Sequence, residues 1–496
     1  MAKDVIVVVQ RSALPTTKES LDILLISTTG AQPVAVYRDV ESVKAVFGED
    51  GKTPNAKIVR KAATLMNQGK TTLAETLVNK FKIVGFEPPS GSAALPAKLT
   101  VDFTGVTIAE PITAGTDIWL KIGGDDKAVV KGTALAEATS PAELAELFDG
   151  TTFTKSGKTY AGTADGGTLT YTAATPGAAD SIPERAAAYG DELMTEELDY
   201  RPEVKFTNGT DAVAAADALV NAIKTFQQDE DNDWYYFMTD RDEPEFVKAL
   251  AKFAEASEPT EAELGVGVED HRKFYMGQTS DLNFADNTAR AAVIYTEEKY
   301  LSEEPDASYT GNVGPFYPKN VTWKFKRPQD GNAAASEGAK LITRPKLTEG
   351  QRDQLSENHV NYLTEEYKRQ YVKEGVCLNG EFIDVVLGGD WIAKRMRDLL
   401  YDILLENANI DYSDAGFGLI TTAVLQALSE AADEDHNIIA RDQESRAGIF
   451  TVSIPKYADS TEEQRRNRVM PDIIWEALLC GAVHQVKTKG VLRATL

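Results

Sequence analysis

The residues best spaced for nucleotide chemistry are Gly69-Lys70-Thr71-Thr72. A phosphate-binding loop needs another glycine five residues before that glycine, so that backbone amides can surround the phosphate. Thr64 occupies that position, and the segment before it has the periodicity of a helix, whereas such a loop follows a strand. The pattern favours a polar helix end, and a nucleotide-binding α/β enzyme with a degenerate loop at 69–72 is the alternative.

Two further patterns match ligand sites only in part. Asp229–Asp233 resembles the first half of a calcium loop, but Trp234 replaces the turn glycine and Asp240 replaces the final glutamate. Gly265-Val266-Gly267 matches the start of a dinucleotide fingerprint, but Asp270 stands where the third glycine belongs and would repel a pyrophosphate. A solvated acidic turn and a structural loop are the simpler interpretations.

The remaining residue types give no catalytic or metal-binding pattern. The four histidines are scattered, and none has metal-ligand spacing with another histidine or a cysteine: His271, His359, His436 and His484. No Gly-x-Ser-x-Gly sequence is present. We therefore predict no enzymatic activity, no catalytic residues, no cofactor and no metal.

Composition narrows the class of protein. The 496 residues carry 52 Lys and Arg against 77 Asp and Glu, a net charge of -25, which opposes nucleic-acid binding. The only apolar run near the start is shorter than the roughly seven to fifteen residues of a signal peptide, and no stretch approaches the ~20 residues of a membrane span. The two cysteines, Cys377 and Cys480, do not indicate a disulfide framework. These features predict a protein made in a cytoplasm, with no membrane or nucleic-acid partner.

The chain changes character at Pro88-Pro89, after which Thr, Gly and Ala dominate. We predict an inserted β-rich surface module at 89–205 between two parts of an α/β core, at 1–88 and 206–378, and a C-terminal domain at 379–496. Within the module, Ser140, Pro141 and Glu143 predict a capped helix. The expected fold class is multidomain, α/β and α+β, with a mixed-sheet core.

Hydrophobic periodicity predicts the elements. Expected strands are Leu21–Ser27, Lys80–Phe86, Ala97–Phe103, Asp117–Ile122, Thr168–Thr172, Trp234–Met238, Phe274–Gln278, Ala291–Tyr295 and Ile449–Ile454. Expected helices are Val40–Phe47, Asn55–Asn67, Ala212–Phe226, Glu243–Ala256, Asn283–Arg290, Gln351–Tyr371, Asp390–Asn407 with Asp390 as N-cap, Leu419–Ala432 and one from Pro471.

Residues 379–496 contain an ordered series of short features. The series is Asn379–Asp384, Gly389-Asp390-Trp391-Ile392, Asp411–Gly416, Arg465–Ile473, Gly481–Val486 and Gly490-Val491-Leu492. No short motif is specific by itself, but their order resembles the C-terminal half of a bacteriophage contractile-tail sheath protein. A weaker resemblance covers residues 1–88 and 206–378, and residues 89–205 are outside it.

The resemblance implies a structural protein of the virion tail, assembled in the host cytoplasm. Sheath subunits form hexameric rings that stack as a helical homopolymer around the tail tube protein. They contract on a signal from the baseplate and drive the tube through the host envelope. The implied partners are other copies of the chain, the tube, the baseplate and the tail terminator. Another virion assembly protein remains an alternative.

The resemblance also implies terminal arms that add strands to a neighbour's sheet. The apolar residues at the two ends fit such arms: Val5, Ile6, Val7, Val8, Val9, Val491 and Leu492. Completion of the subunit's own sheet by the same strands is the competing interpretation.

A basic cluster stands out in an acidic chain. Residues 456–496 carry seven basic and five acidic groups, and Arg465, Arg466 and Arg468 are close together. We predict that these arginines bind acidic groups of the tube or of an adjacent subunit, because guanidinium pairs carboxylates bidentately. Pairing with Glu462 and Glu463, or simple solvation, is the alternative.

Overall fold

The structure is a computed structural model. It describes residues 23–48, 55–68, 78–108, 117–123, 129–132, 138–189, 200–210, 212–260, 271–317, 319, 321–332 and 340–485. The predicted arms at Val5–Val9 and Val491–Leu492, and the segments Gly69–Thr72 and Gly265–Gly267, lie outside these residues.

The chain divides into two compact units. The first contains the described residues of Met1–Pro89 and Leu219–Leu496, and the second contains those of Ser90–Ala218.

The first unit is built on an eight-stranded sheet in the order β16-β15-β14-β13-β12-β1-β3-β2. Six neighbouring strands, from β15 to β3, run parallel, and an antiparallel strand closes each edge. The strands are β1 (Ile23–Ser27), β2 (Gln32–Tyr37), β3 (Phe81–Gly85), β12 (Tyr236–Thr239), β13 (Phe274–Thr279), β14 (Ala291–Tyr295), β15 (Asn361–Glu366) and β16 (Arg369–Val372). The central strands β1, β12, β13 and β14 are buried along their whole length, as expected where helices cover both faces of a parallel sheet.

Helices connect these strands and continue beyond them. Those of the first unit are α1 (Val40–Phe47), α2 (Asn55–Met66), α5 (Pro244–Ala256), α6 (Pro305–Val313), α7 (Glu349–Glu357), α8 (Ile383–Glu406), α9 (Asp414–Ala431) and α10 (Glu462–Asn467). α4 (Ala215–Asp229) contains the division between the units, and short 3-10 helices occur at Glu298–Glu303, Gly314–Phe316 and Tyr457–Asp459. A separate antiparallel pair of strands consists of β17 (Phe450–Ser453) and β18 (Ile474–Ala477), and the connection between them contains α10. We call this pair the β17–β18 hairpin.

The second unit is β-rich and has its own core. A five-stranded antiparallel sheet has the order β11-β4-β9-β8-β7, and a three-stranded sheet has the order β10-β5-β6. Its elements are β4 (Lys98–Asp102), β5 (Trp119–Ile122), β6 (Val129–Lys131), α3 (Pro141–Glu146), β7 (Thr152–Lys155), β8 (Lys158–Asp165), β9 (Thr168–Ala173), β10 (Ala186–Tyr189) and β11 (Glu203–Thr207). The capping box of Ser140 and Glu143 at α3 is confirmed.

Three predicted helices are wrong in part or in whole. The predicted helix Gln351–Tyr371 ends at Glu357 and is followed by the hairpin of β15 and β16. Tyr367 and Lys368 turn the hairpin with positive φ angles of 48° and 63°, and pairing of β15 with β14 outweighs helix propensity. Asn283–Arg290 forms turns between β13 and β14 instead of a helix.

The helix predicted from Pro471 is also wrong, because this segment contains strand β18. Exposure alternates along Ile474–Ala477: Trp475 and Ala477 pack inward and Ile474 and Glu476 point outward, the period of a strand.

The long helix α8 begins at Ile383, seven residues before the predicted N-cap Asp390. Gly388, inside this helix, serves close packing. A Cβ at Gly388 would lie 2.8 Å from the side chain of Ile438. Asp390 is consequently a buried residue inside the helix. The predicted multidomain, mixed α/β and α+β fold class is confirmed by the sheets and helices of the two units.

Candidate subunit-interaction surface

The carboxyl ends of the parallel strands are the first place to look for an enzyme site. Strand order reverses between β1 and β12, where α/β enzymes bind their ligands. There the Asp240 carboxylate accepts hydrogen bonds from the Thr28 N–H at 2.8 Å and the Thr28 hydroxyl at 2.7 Å. Burial raises the pKa of Asp240, and these hydrogen bonds oppose the shift. The carboxylate is therefore occupied by its own chain.

A buried ion network lies near the same carboxyl ends of the strands. The Lys61 ammonium, on α2, lies 2.5 Å and 2.6 Å from the Asp306 carboxylate oxygens and 3.2 Å from Glu304. All three side chains are inaccessible to solvent or nearly so. Burial raises the pKa of Glu304 to about 7, although the charge of Lys61 opposes the rise. Gln278 donates to Glu304 at 3.3 Å and to Asp242 at 3.1 Å, so the side chains here bind one another.

A second buried network fixes helix α8 to the sheet. The Arg290 guanidinium, just before β14, binds the Asp390 carboxylate with Nη2 at 2.5 Å and Nη1 at 3.3 Å. The Tyr235 hydroxyl donates to the same carboxylate. Arg290 also contacts Glu258 at 3.1 Å. Asp390 belongs to the Gly389–Ile392 feature of the sequence. Because its carboxylate binds Arg290 and Tyr235, it holds α8 against the sheet.

Helix α8 joins the sheet to a smaller group of elements, which we call the C-terminal lobe: the second half of α8, α9 and the β17–β18 hairpin, within residues 391–485. The first half of α8 places Ile383, Val386 and Leu387 in the main core, and the second half places Trp391 and Met396 in a separate cluster with α9. Arg395 on α8 forms a bidentate ion pair with Glu430 on α9.

The β17–β18 hairpin is a two-stranded sheet. At one end, Ile439 and Arg441 bridge to the flanking residues Leu479 and Gly448. The outer edges of β17 and β18 themselves pair with no other strand in the part of the chain that the structure describes. One face packs on the lobe through Phe450, Val452, Trp475 and Ala477. The other face is exposed. Each strand therefore presents one row of backbone N–H and C=O groups available to a further strand.

The lobe also exposes an unusual amount of apolar surface. Twelve of the eighteen exposed large hydrophobic side chains among the described residues belong to it. They are Leu404, Leu405, Leu419, Leu425, Ile449, Ile454, Tyr457, Val469, Ile474, Leu478, Leu479 and Val483. This concentration makes the lobe a candidate interaction surface.

The three predicted arginines lie in and after the short helix α10, and they differ. Arg465 donates to the Ser460 carbonyl oxygen at 2.6 Å and to its hydroxyl at 3.1 Å, and its guanidinium lies 5.5 Å from the Tyr457 ring. The side chains of Arg466 and Arg468 are exposed and form no hydrogen bond or ion pair with any residue that the structure describes. Arg465 therefore has a local role, and Arg466 and Arg468 remain available to a partner.

Two sequence features about a hundred positions apart meet in space. The His484 ring, from the Gly481–Val486 feature, lies 4.7 Å from the ring of Phe382, from the Asn379–Asp384 feature. Its Nε2 lies 2.9 Å from the Thr322 hydroxyl. Gly380, in the same feature as Phe382, has a φ of 88° and sits against His359, where a Cβ would lie 2.5 Å from the imidazole.

The acidic turn that resembles a calcium loop is neutralised locally. Asp231 accepts from the Lys82 ammonium at 2.8 Å and from the Asp233 N–H at 2.8 Å. Within the described residues, no three His, Cys, Asp or Glu side chains are grouped so that they could hold a metal ion. Nor is any helix there sufficiently long and apolar to span a membrane.

No protein-family model matches the chain, and no curated protein matches it. Among solved structures, the chain is similar to a chain of the anti-feeding prophage (AFP) baseplate, determined by cryo-electron microscopy with six-fold symmetrisation. The two are 14% identical, with a TM-score of 0.37, over 57% of this chain and 76% of that one. A TM-score below 0.5 does not establish a shared fold, so the proposals below depend on the chain's own residues.

Proposed function

We propose that this protein is the subunit of a phage contractile tail sheath, which polymerises around a tail tube and contracts to drive it through the host envelope. The observation that carries the proposal is the β17–β18 hairpin, whose two outer edges are unpaired among the described residues and lie within an exposed apolar lobe. The ordered features of residues 379–496 that resemble sheath proteins belong largely to this lobe and to the helix that carries it.

Strand addition explains how the copies join. Residues Val5–Val9 of one copy and Val491–Leu492 of another would extend the hairpin at its two edges. Main-chain hydrogen bonds would supply affinity with little demand on side chains. Contacts of this head-to-tail kind generate an open helical array of stacked rings.

Contraction requires subunits that turn as rigid bodies while they stay tethered. The buried networks around Lys61 and Asp390 suit that requirement, because they fix α2, α6 and α8 to the sheet. Tethers made of terminal strands leave the bodies free to rotate. The free energy would come from the extended lattice, so no cofactor or nucleotide is needed.

The same geometry argues against an enzyme. At the switch point between β1 and β12, Asp240 is held by Thr28, and Glu304 and Asp306 are held by Lys61. We propose that the protein catalyses no reaction and that its partners are other copies, the tube protein, the baseplate and the tail terminator, in the virion tail.

Negative-stain electron microscopy of the overexpressed full chain tests the proposal, and we expect long hollow cylinders. Two variants should remain folded monomers without cylinders: deletion of Met1–Ser12, and Ile474→Lys, which adds a charge to the edge of β18. Ile474 is 66% exposed, so its replacement should change the free energy of unfolding by less than about 0.5 kcal/mol.

Val46→Lys, at an exposed apolar position of α1, is the matched control and should form cylinders normally. Absence of cylinders from the wild-type chain, or normal cylinders from both test variants, would contradict the proposal. ATP hydrolysis by the purified monomer would favour the enzyme alternative.

A further inference from the structure

The last described residues of the chain return from the C-terminal lobe to the α/β core at one point. Cys480 is still tied to the lobe through its N–H, which donates to the Ile438 carbonyl at 2.8 Å. In residues 481–485, every residue except His484 is exposed. His484 is therefore the residue through which this segment gains burial.

The surface that receives His484 consists of two aromatic rings and a hydroxyl. The His484 ring meets the Phe382 ring edge-to-face at 4.7 Å and the Phe325 ring edge-to-face at 6.3 Å. The Thr322 hydroxyl supplies the hydrogen bond to Nε2 at 2.9 Å. Edge-to-face contacts between aromatic rings stabilise the pair beyond the burial of the rings alone.

Phe325 is held in an unusual conformation at this point. Its φ is 63°, in the left-handed region, which is a strained conformation for a bulky residue. Its N–H donates to the Val372 carbonyl at 3.0 Å, so the end of β16 fixes its backbone. Strain that places a 44% exposed phenylalanine beside His484 indicates a built contact.

We propose that Thr322, Phe325 and Phe382 form a clamp that fixes His484, and with it the described segment 481–485, to the α/β core. The clamp itself does not depend on the proposed function. Its consequence does: if residues 491–492 act as an arm in a neighbouring subunit, the clamp carries tension on that arm to the α/β core and bypasses the hairpin.

Burial of the ring favours the neutral imidazole of His484. The positive charge of Lys324 acts in the same direction as burial, and the carboxylates of Asp384 and Glu374 act in the opposite direction. Burial, followed by Lys324, lowers the pKa of His484. A neutral ring can donate or accept one hydrogen bond with Thr322 and can lie against aromatic rings without an uncompensated charge.

Hydrogen–deuterium exchange of the full chain tests the clamp. Amides of the peptide that spans 478–486 should exchange at least about fivefold faster in His484→Ala, because loss of one hydrogen bond shifts the local opening equilibrium by about that factor. Thr322→Val should give a smaller acceleration, because it removes the hydrogen bond and keeps the ring contacts. Val483→Ala, at a neighbouring 75% exposed side chain, is the control and should exchange as the wild type does.

Equal exchange in His484→Ala and wild type would overturn the clamp, whatever the assembly state. If His484→Ala shows faster exchange, microscopy of the same variant tests the consequence for the arm, and we expect fewer or shorter cylinders. Normal cylinders would overturn that consequence alone. A wild-type chain that forms no cylinders would instead contradict the sheath function and leave the exchange result standing.

Discussion

The α/β core and the C-terminal lobe differ in the energetically costly side chains that they contain. The core buries charged side chains and pairs them internally: Lys61 with Asp306 and Glu304, and Arg290 with Asp390. The lobe leaves apolar side chains and strand edges exposed. These buried charges of the core are thus paired within one chain, whereas the exposed apolar side chains and strand edges of the lobe remain available to another surface.

Mutations in the two regions should therefore have different consequences. A change in the core's ion networks should destabilise the isolated subunit. A change on the lobe surface should leave the subunit intact and alter its association.

The largest effect is expected from Asp390→Ala. The substitution leaves Arg290 buried without its main carboxylate partner, which should cost about 3–5 kcal/mol in the free energy of unfolding. Urea denaturation followed by circular dichroism measures it. Asp398→Ala, on the same helix in a partly exposed pair with Lys394, is the control and should cost only about 0–1 kcal/mol. Similar losses in the two variants would break the comparison, because the core network would then be no stronger than a surface pair.

A pH effect of intermediate size is expected from Glu304. Its pKa is raised in the folded state, from 4.5 to about 7, so the protonated carboxyl is favoured by folding. The stability it contributes is complete below pH 4.5 and is lost as pH rises through about 7, by up to about 3 kcal/mol. Glu304→Gln should therefore flatten the fall in stability between pH 5.5 and 8.

Thermal or urea unfolding at several pH values in that range provides the measurement. Glu298→Gln, at an exposed glutamate in the 3-10 helix that ends just before Glu304, should keep the wild-type slope. If Glu304→Gln also keeps that slope, Glu304 remains ionised in the fold and the core network is more strongly compensated than we infer.

Periodicity predicted those elements in which local and tertiary preferences agree. The helix Val40–Phe47 and the strand Ala291–Tyr295 match the predicted bounds, because the apolar pattern of each agrees with its burial in the fold. The hairpin of β15 and β16 was missed because its residues have helical periodicity, and the sheet that recruits them is formed by residues far away in the chain.

The sequence shows that Lys61 lies on an apolar face of its helix, but the sequence alone does not show that it is buried and paired. Lys61 lies on the same stripe of α2 as Ile58 and Leu65, three residues from one and four from the other. A lysine in such a stripe is normally an interruption at the surface. Its role became visible only when the fold placed Asp306 beside it. Asp390 was misassigned for a similar reason, since a carboxylate after two glycines has the pattern of an N-cap.

The smallest effect is expected from the arginines of the lobe, and it separates the three residues that the sequence grouped together. Arg466→Ala with Arg468→Ala removes two exposed cations that have no partner among the described residues, so the free energy of unfolding should change by less than about 0.5 kcal/mol. Arg465→Ala removes hydrogen bonds to Ser460 and should cost about 1–2 kcal/mol.

Association should show the reverse order. In co-assembly with the tube protein at increasing salt, the double variant should detach at a lower salt concentration than the wild type, because each exposed ion pair contributes only about 0–1 kcal/mol and is screened. Repetition of that weak contribution along a lattice makes it measurable. Arg465→Ala should behave like the wild type once it is folded. If the double variant detaches at the wild-type salt concentration, these arginines are solvated side chains, and the lobe binds its partners through apolar surface and strand edges alone.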